Sequence, residues 1–98
     1  MALEIFWTNR ADKKFDKILD YLHKEYGSLK SGQFVKRVFD FMEILSEYPK
    51  IGSIENENKG IRGFTLEKHV NVFYRISEKG IIILNFYDNR QSESRKKY

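Results

Sequence analysis

The chain has 98 residues and contains no cysteine. A chain of this length fits one compact domain, taken as residues 1–98, because it is too short to fill two hydrophobic cores. The lack of cysteine excludes a disulfide framework, a thiolate zinc site and a cysteine nucleophile. Hydrophobic residues make up 41% of the chain and aromatic residues 15%, enough to drive folding without a metal or disulfide. No apolar segment approaches the roughly 18 to 20 residues that span a bilayer, and no signal peptide is visible, so we expect a soluble cytoplasmic protein.

The formal net charge of +4 is unevenly distributed along the chain. Residues 1–49 hold eight Lys or Arg and eight Asp or Glu, whereas residues 50–98 hold ten and six and supply the whole excess. The C-terminal end is the most basic part, because Arg90, Arg95, Lys96 and Lys97 are opposed there only by Glu93. Such an end would attract a polyanion or an acidic partner. A solvated tail that maintains solubility is the alternative interpretation.

The first predicted elements are a short strand and an amphipathic helix. Leu3, Ile5 and Trp7 stand at every second position, which is typical of a half-buried strand. Thr8 can then cap a helix. From residue 9 to residue 26, apolar residues recur every three or four positions while Lys and Asp occupy the other face, and this pattern predicts an amphipathic helix.

A second helix is expected directly after the first. Gly27 suits the left-handed backbone conformation that closes a helix, and Ser28 or Ser31 can cap the next one, so a helical hairpin is predicted. Pro49 biases Tyr48 out of helical geometry and ends the second helix. The second helix carries an apolar arc wider than one packed face requires, formed by Phe34, Val35, Val38, Phe39, Phe41, Met42, Ile44, Leu45 and Tyr48. The surplus part of this arc is expected to receive a partner.

The last part of the chain is predicted to form strands. Residues 50–60 contain glycine, serine and asparagine with little periodicity and are interpreted as a loop. Three short runs follow at 61–67, 70–77 and 81–87, separated by turn residues, and the apolar run 81–84 indicates a buried central strand. The predicted order is β-α-α-β-β-β. This is an α+β fold in which the helical hairpin packs on one face of a largely antiparallel, twisted sheet.

The most specific motif lies near the end of the chain. The sequence Phe73-Tyr74-Arg75-Ile76, followed by residues 82–91 (IILNFYDNRQ), is similar to the ending "YRI…IxILxxxDNRQ" of the RelE/ParE toxins. Further matching stretches lie at 5–21, 34–49 and 61–64. The chain thus resembles this family, whose members are often described as plasmid stabilisation proteins, along nearly its whole length. The resemblance implies a cytoplasmic growth-inhibiting toxin of a type II toxin–antitoxin system, which its cognate antitoxin neutralises and with which it forms an oligomer.

The resemblance also implies two different modes of growth inhibition. RelE-like members cut messenger RNA in the ribosomal A site without a metal, whereas ParE-like members inhibit DNA gyrase. Metal-free RNA cleavage needs groups that transfer protons and cations that stabilise the phosphorane. The two modes therefore differ in the residues that they require.

Most residues of the RelE-like mode are replaced in this sequence. By resemblance, Arg62 and Arg90 match basic positions that could hold a phosphate. Phe64 stands where RelE-like members have a second basic residue, Asn71 where they have an arginine, and Asp88 where many members have a histidine. Near the end of the chain, Lys96 rather than Tyr98 falls about where a RelE-type tyrosine would be. The resemblance therefore favours a ParE-like toxin, with a RelE-like endonuclease as the alternative and an inactive binding module as a third possibility.

A small set of side chains could substitute for the missing proton-transfer groups. Tyr87, His69 and Glu67 are the candidates, although a tyrosine at a sheet margin and a histidine in a hairpin turn are more often ordinary surface residues. Arg75 could instead pair with a neighbouring carboxylate. No metal-ligand spacing, phosphate-binding loop or Ser/His/Asp arrangement is visible, so no metal or cofactor is expected.

The sequence analysis thus ends in two sets of candidate residues. If the chain is a nuclease, its catalytic residues are predicted to be Arg62, Arg90 and Tyr87. We predict that an antitoxin helix binds the apolar hairpin, and that an antitoxin strand can extend an open sheet edge. The residues predicted to bind the target or the antitoxin are Arg62, Arg75, Arg90, Arg95, Lys96, Lys97, Phe39, Ile44 and Tyr48. For the last three, burial in the core is the alternative.

Overall fold

The computed structural model describes residues 2–90, which form two helices and one five-stranded sheet. The elements are β1 (Ile5–Trp7), α1 (Asn9–Tyr26), α2 (Ser28–Glu47), β2 (Ser53–Asn56), β3 (Ile61–Glu67), β4 (Val70–Ile76) and β5 (Ile81–Asp88). The strands lie in the order β1-β5-β4-β3-β2; β1 is parallel to β5, and the other neighbouring pairs are antiparallel. The predicted α+β class, with a helical hairpin on a largely antiparallel sheet, is confirmed. Over residues 2–90, neither helix has the length and apolar character needed to cross a membrane.

The start of the chain follows the sequence prediction closely. The hydroxyl of Thr8 accepts a hydrogen bond from the backbone N–H of Ala11 at 3.0 Å, so Thr8 is the N-cap of α1. The same hydroxyl lies 3.1 Å from the carbonyl oxygen of Ile83, which ties the helix start to β5. Strand β1 begins only at Ile5, because the N–H of Leu3 donates to a carbonyl in α2 rather than to the sheet.

Gly27 alone joins the two helices of the hairpin, and the predicted cap of the second helix is wrong. Gly27 adopts a positive φ of 91°, and its N–H donates to the carbonyl oxygen of His23 at 2.9 Å. Helix α2 starts at the next residue, so Gly27 is itself the N-cap and no side chain caps the helix. Neither Ser28 nor Ser31 is a cap, since both already lie inside α2, and the Ser31 hydroxyl donates back to the carbonyl oxygen of Ser28. At the other end, α2 stops at Glu47, before Pro49 as predicted.

The predicted loop at residues 50–60 is wrong over four residues. Ser53–Asn56 forms β2, an edge strand that pairs antiparallel with the start of β3 and contains a register irregularity. Serine, glutamate and asparagine have low strand propensity, and half of the strand is exposed, so no alternating pattern marks it in the sequence. Its strand geometry depends on pairing with β3. The order is therefore β-α-α-β-β-β-β, with one strand more than predicted.

The helices cover one face of the sheet, and a smaller apolar cluster covers part of the other. The main core combines residues of both helices with one side of β3, β4 and β5: Ala11, Ile18, Leu22, Phe34, Val38, Phe41, Met42, Leu45, Leu66, Val70, Val72, Tyr74, Ile81, Ile83 and Phe86. On the opposite side, Ile61, Phe73 and Tyr87 form a second buried cluster with the partly buried Leu84. We call this second side of the sheet the open face.

The connection between α2 and β2 is fixed by side chains of the sheet. The buried Tyr74 hydroxyl donates to the carbonyl oxygen of Pro49 and accepts from the N–H of Gly52, both at 2.8 Å. Burial raises the pKa of Tyr74, so the phenol stays protonated at neutral pH. A Cβ atom at Gly52 would lie 2.7 Å from this hydroxyl and 2.8 Å from the carbonyl oxygen of Gly63, so only glycine fits. Arg62 adds a hydrogen bond of 2.7 Å to the carbonyl oxygen of Gly52.

The substitution Tyr74→Phe tests this connection. It would leave a buried N–H and a buried carbonyl without their partner, and we expect the free energy of unfolding to fall by about 1–3 kcal/mol. Urea denaturation followed by circular dichroism measures this change. Tyr48→Phe is the matched control: Tyr48 is 67% exposed, and its loss of a hydroxyl should cost less than about 0.5 kcal/mol. Equal effects of the two substitutions would contradict the assignment.

Candidate functional site

Arg90, just beyond the end of β5, is held by a carboxylate. Its Nε donates to Oδ1 of Asp88 at 3.0 Å and its Nη2 to Oδ2 at 2.9 Å, while its backbone N–H also donates to Oδ1 at 2.9 Å. Asp88 is only 3% exposed, and a buried carboxylate is stable only when a cation or several donors compensate it. The hydrogen bonds to Asp88 raise the pKa of Arg90, which stays charged. Arg90 therefore uses two of its three guanidinium nitrogens inside the protein.

The side chains of Glu67 and Tyr21 lie next to the Asp88–Arg90 pair. Glu67 at the end of β3 lies 3.9 Å from Nη2 of Arg90, and the guanidinium lies 5.5 Å from the centre of the Tyr21 ring, in cation–π geometry. Burial, together with the neighbouring Tyr26, raises the pKa of Tyr21. Tyr21 is thus a poor proton acceptor at neutral pH. This contact was not predicted, because it joins residues almost 70 positions apart through the docking of α1.

A cavity of about 670 Å³ opens beside the Arg90 pair. It is lined by Tyr26, Leu29, Lys30, Gln33, Glu67, Lys68, His69 and Arg90. In the β3–β4 turn, Nδ1 of His69 lies 3.2 Å from Oδ1 of Asn89, and the carbonyl oxygen of His69 accepts from the N–H of Asn89. The structure therefore brings together Glu67, His69 and Arg90, which the sequence suggested only as separate candidates.

Arg62 lies at the opposite end of the sheet from Arg90. Arg62 pairs with Tyr74 of β4, and Tyr74 pairs with Ile83 of β5. Asp88 of β5 pairs instead with Val70 of β4, which pairs with Glu67 at the other end of β3. Five residues of β3 separate the two levels, which corresponds to about 16 Å. The structure therefore does not bring Arg62 and Arg90 together around one phosphate. The guanidinium of Arg62 contacts backbone carbonyl groups of the α2–β2 connection.

The other sequence-predicted residues of the sheet lie on or near the open face. Tyr87 is 5% exposed and packs in the second apolar cluster, so its ring has little access to a ligand. Arg75 is exposed on β4, directly opposite Ile61 of β3. Asn71 accepts a hydrogen bond from the Thr65 hydroxyl at 2.7 Å.

Phe64 lies on the helix side of the sheet. Its ring stacks on Phe41 of α2, with 4.4 Å between the ring centres. By resemblance, RelE-like members carry a basic residue at this position. In this chain the position therefore holds an aromatic side chain that packs against the core.

The three apolar residues predicted to bind an antitoxin are exposed on α2, but they do not form one stripe. Phe39 is 52% exposed, Ile44 46% and Tyr48 67%. At about 100° per residue, Phe39 and Ile44 differ in direction by about 140°, and they lie on opposite flanks of the buried face. The ring of Phe39 stacks on that of Trp7, with 6.1 Å between the ring centres. Ile44 and Tyr48 are four residues apart, on the same side of the helix, and the exposed Ile51 follows in the connection after it.

Arg95, Lys96 and Lys97 lie outside the described residues. Across residues 2–90, no group of three or more His, Asp or Glu side chains is arranged to hold a metal ion.

The fold is shared with chains of several solved toxin–antitoxin systems. A chain of the chromosomal ParDE system from P. aeruginosa is 24% identical, with a TM-score of 0.74, and the match covers 89% of this chain and 96% of that one. A chain of the RelBE2 toxin–antitoxin complex from Mycobacterium tuberculosis is 17% identical, with a TM-score of 0.65 and coverages of 90% and 99%. The YoeB/ParE toxin from Agrobacterium tumefaciens is 12% identical, with a TM-score of 0.64 and coverages of 88% and 98%.

Sequence comparison gives the family. No curated protein sequence matches the chain significantly. The family model described as the ParE toxin of the type II toxin–antitoxin system parDE matches residues 5–93, which includes every helix and strand of the fold. The chain therefore belongs to the ParE toxin family of type II toxin–antitoxin systems.

Proposed function

We propose that this toxin inhibits growth in the ParE-like way, by binding a cellular protein target such as DNA gyrase, and that it does not cut RNA. The observation that carries the proposal is the Asp88–Arg90 pair, because the arginine that would neutralise a scissile phosphate is already compensated by a buried carboxylate. Metal-free cleavage needs cations directed at the phosphorane and groups able to move protons. The match to the ParE family model supports the same mode.

A RelE-like endonuclease is the second candidate, and one feature favours it. The cavity beside Arg90 is lined by Glu67 and His69, a carboxylate and an imidazole that could transfer protons. In this mode Arg90 would bind phosphate, whereas Tyr87, buried in the cluster of the open face, does not line the cavity. Arg62 is too far away to join them in this conformation.

We further propose that a cognate antitoxin covers the exposed apolar side chains of α2 and forms a toxin–antitoxin oligomer in the cytoplasm. Ile44 and Tyr48 form one contact area, and Phe39 a second one on the other flank. Chains of the ParDE, RelBE2 and DinJ–YafQ toxin–antitoxin systems share this fold, which supports such a partner. Within residues 2–90, β2 is an edge strand with no partner on its outer side, to which an extended antitoxin segment could add a strand. Under this proposal the gene pair would also serve plasmid stabilisation.

Toxin induction with separate readouts of supercoiling and mRNA integrity tests the mode of action. We expect loss of gyrase supercoiling activity, measured on a relaxed plasmid with purified protein, and no toxin-dependent cuts in translated messages by primer extension. His69→Gln and Glu67→Gln should leave growth inhibition within about two-fold of the parent, because neither group would take part. Cuts in ribosome-bound codons that disappear in these variants would instead establish the endonuclease.

The substitution Arg90→Ala tests whether this arginine is a structural partner of Asp88. It would leave the buried carboxylate without its bidentate cation, and we expect a loss of about 2–3 kcal/mol in the free energy of unfolding. Adding Asp88→Asn should restore at least about 1 kcal/mol, because the uncompensated charge is then removed. Thermal and urea denaturation measure both variants. An Arg90→Ala protein as stable as the parent would contradict this role.

Alanine substitution of the exposed apolar residues tests the antitoxin contact. Ile44→Ala and Tyr48→Ala should each weaken antitoxin binding about ten-fold, measured by isothermal titration calorimetry, while stability changes by less than about 1 kcal/mol. Leu29→Ala is the control, because Leu29 is an apolar residue at the other end of α2 that is more exposed than either Ile44 or Tyr48. A larger effect on folding than on binding, or an equal effect of Leu29→Ala, would refute the proposed contact.

A further inference from the structure

The basic residues in the first half of helix α1 lie on one side of the helix. Lys13 and Lys14 each lie three or four residues from Arg10 and from Lys17, so at about 100° per residue the four residues fall within an arc of about 100°. They line a surface hollow of about 660 Å³, together with one carboxylate, that of Asp16. The hollow therefore carries a clear excess of positive charge.

A second basic hollow lies beside the start of the same helix. It has a volume of about 330 Å³ and is lined by Thr8, Arg10, Lys59, Ile61, Arg75 and Leu84. Its three cations come from three places in the fold: the first turn of α1, the β2–β3 connection and strand β4. Its lining within the described part of the chain contains no carboxylate. Tertiary structure, rather than a run of basic sequence, creates this concentration of positive charge.

Among residues 2–90, no carboxylate pairs with the cations that the sheet side contributes to this hollow. Neither Lys59 nor Arg75 forms an ion pair within residues 2–90, and both are exposed. Arg90 differs, because Asp88 and Glu67 compensate it. Cations that line one hollow repel one another, and an anion bound between them relieves this repulsion.

Arg10 lines both hollows, so the two form one continuous basic strip, which we define as Arg10, Lys13, Lys14, Lys17, Lys59 and Arg75. Its helical part alone is about 10 Å long, at about 1.5 Å per residue. A single carboxylate needs only one arginine. An elongated strip suits an anion with regularly repeated charges, and a nucleic-acid strand carries one phosphate per about 3.4 Å of duplex axis. The apolar walls of the smaller hollow, Ile61 and Leu84, suit contact with a sugar ring.

We propose that the basic strip binds the phosphodiester backbone of a nucleic acid, with one phosphate in the hollow formed by Arg10, Lys59 and Arg75. Guanidinium groups bind phosphate oxygens through paired hydrogen bonds, and the lysine adds a flexible point charge. Such contacts read no base sequence. The site is separate from the Arg90 cavity and from the apolar residues of α2, so it goes beyond the proposed function and does not require gyrase as the target.

Fluorescence anisotropy with the full-length toxin tests the proposal. The probes are a short fluorescein-labelled duplex DNA and a single-stranded RNA of matched length, titrated at several salt concentrations. Arg75→Gln and Lys59→Gln should each weaken binding about five-fold and reduce the slope of log affinity against log salt by about one. The control is Lys36→Gln, which removes the same charge from an exposed residue on α2 and should change affinity less than two-fold. The tighter of the two probes identifies the class of nucleic acid.

Several results would overturn the proposal. They are no binding of either probe by the parent toxin, or a loss in Lys36→Gln as large as in Arg75→Gln, which would indicate only a general charge effect. Equally tight, equally variant-sensitive binding of poly-glutamate would assign the strip to an acidic protein. Melting temperatures of the variants are measured in parallel, and because Lys59 and Arg75 are exposed, they should match that of the parent. A failure of gyrase inhibition would leave these outcomes unchanged.

Discussion

Strand β5 must be buried on both of its faces, and this constraint shapes the rest of the fold. It lies between β1 and β4, with Ile81, Ile83 and Phe86 under the helices and Tyr87 in the cluster of the open face. A bulge opposite β4, with Leu84 as the extra residue, changes which side chains face the helices halfway along the strand. The burial extends to Asp88, the last residue of the strand, and a carboxylate at such a position needs a nearby cation. Arg90 meets this structural requirement.

Because Asp88 needs this cation, an arginine that is typical of the family does not by itself indicate a nuclease site. An arginine after the last strand is part of the family resemblance, and its presence alone suggests a phosphate-binding group. Here the same arginine forms a bidentate pair with a buried carboxylate and contacts Tyr21 of α1, so it joins β5 to the helical layer. The contacts with Asp88 and Tyr21 therefore account for a basic residue at this position without reference to a nuclease reaction. The second basic position, Arg62, is explained in the same way by its contacts with the α2–β2 connection.

Local patterns predicted much of the fold, and tertiary contacts account for what they missed. The bounds of α1 and the end of α2 follow from amphipathic spacing, the Thr8 cap and Pro49, which are signals within a few residues of each element. Strand β2 has no such signal, because its geometry comes from pairing with β3. For the candidate site, the sequence named Glu67, His69 and Arg90 as individual candidates. It could not show that they share one cavity, nor that Arg62 lies at the other end of β3.

The positive charges of the toxin thus fall into two physical classes, which the net charge of +4 does not distinguish. Arg90 and Lys36 have carboxylate partners within the protein, and their fields are largely cancelled at a distance. Lys59 and Arg75 have no ion-pair partner among residues 2–90, and the docking of α1 places Arg10 beside them. Association with a polyanion depends on the second class. A count of basic residues along the chain would direct attention to the C-terminal end, whereas tertiary structure within residues 2–90 places Lys59 and Arg75 beside the start of α1.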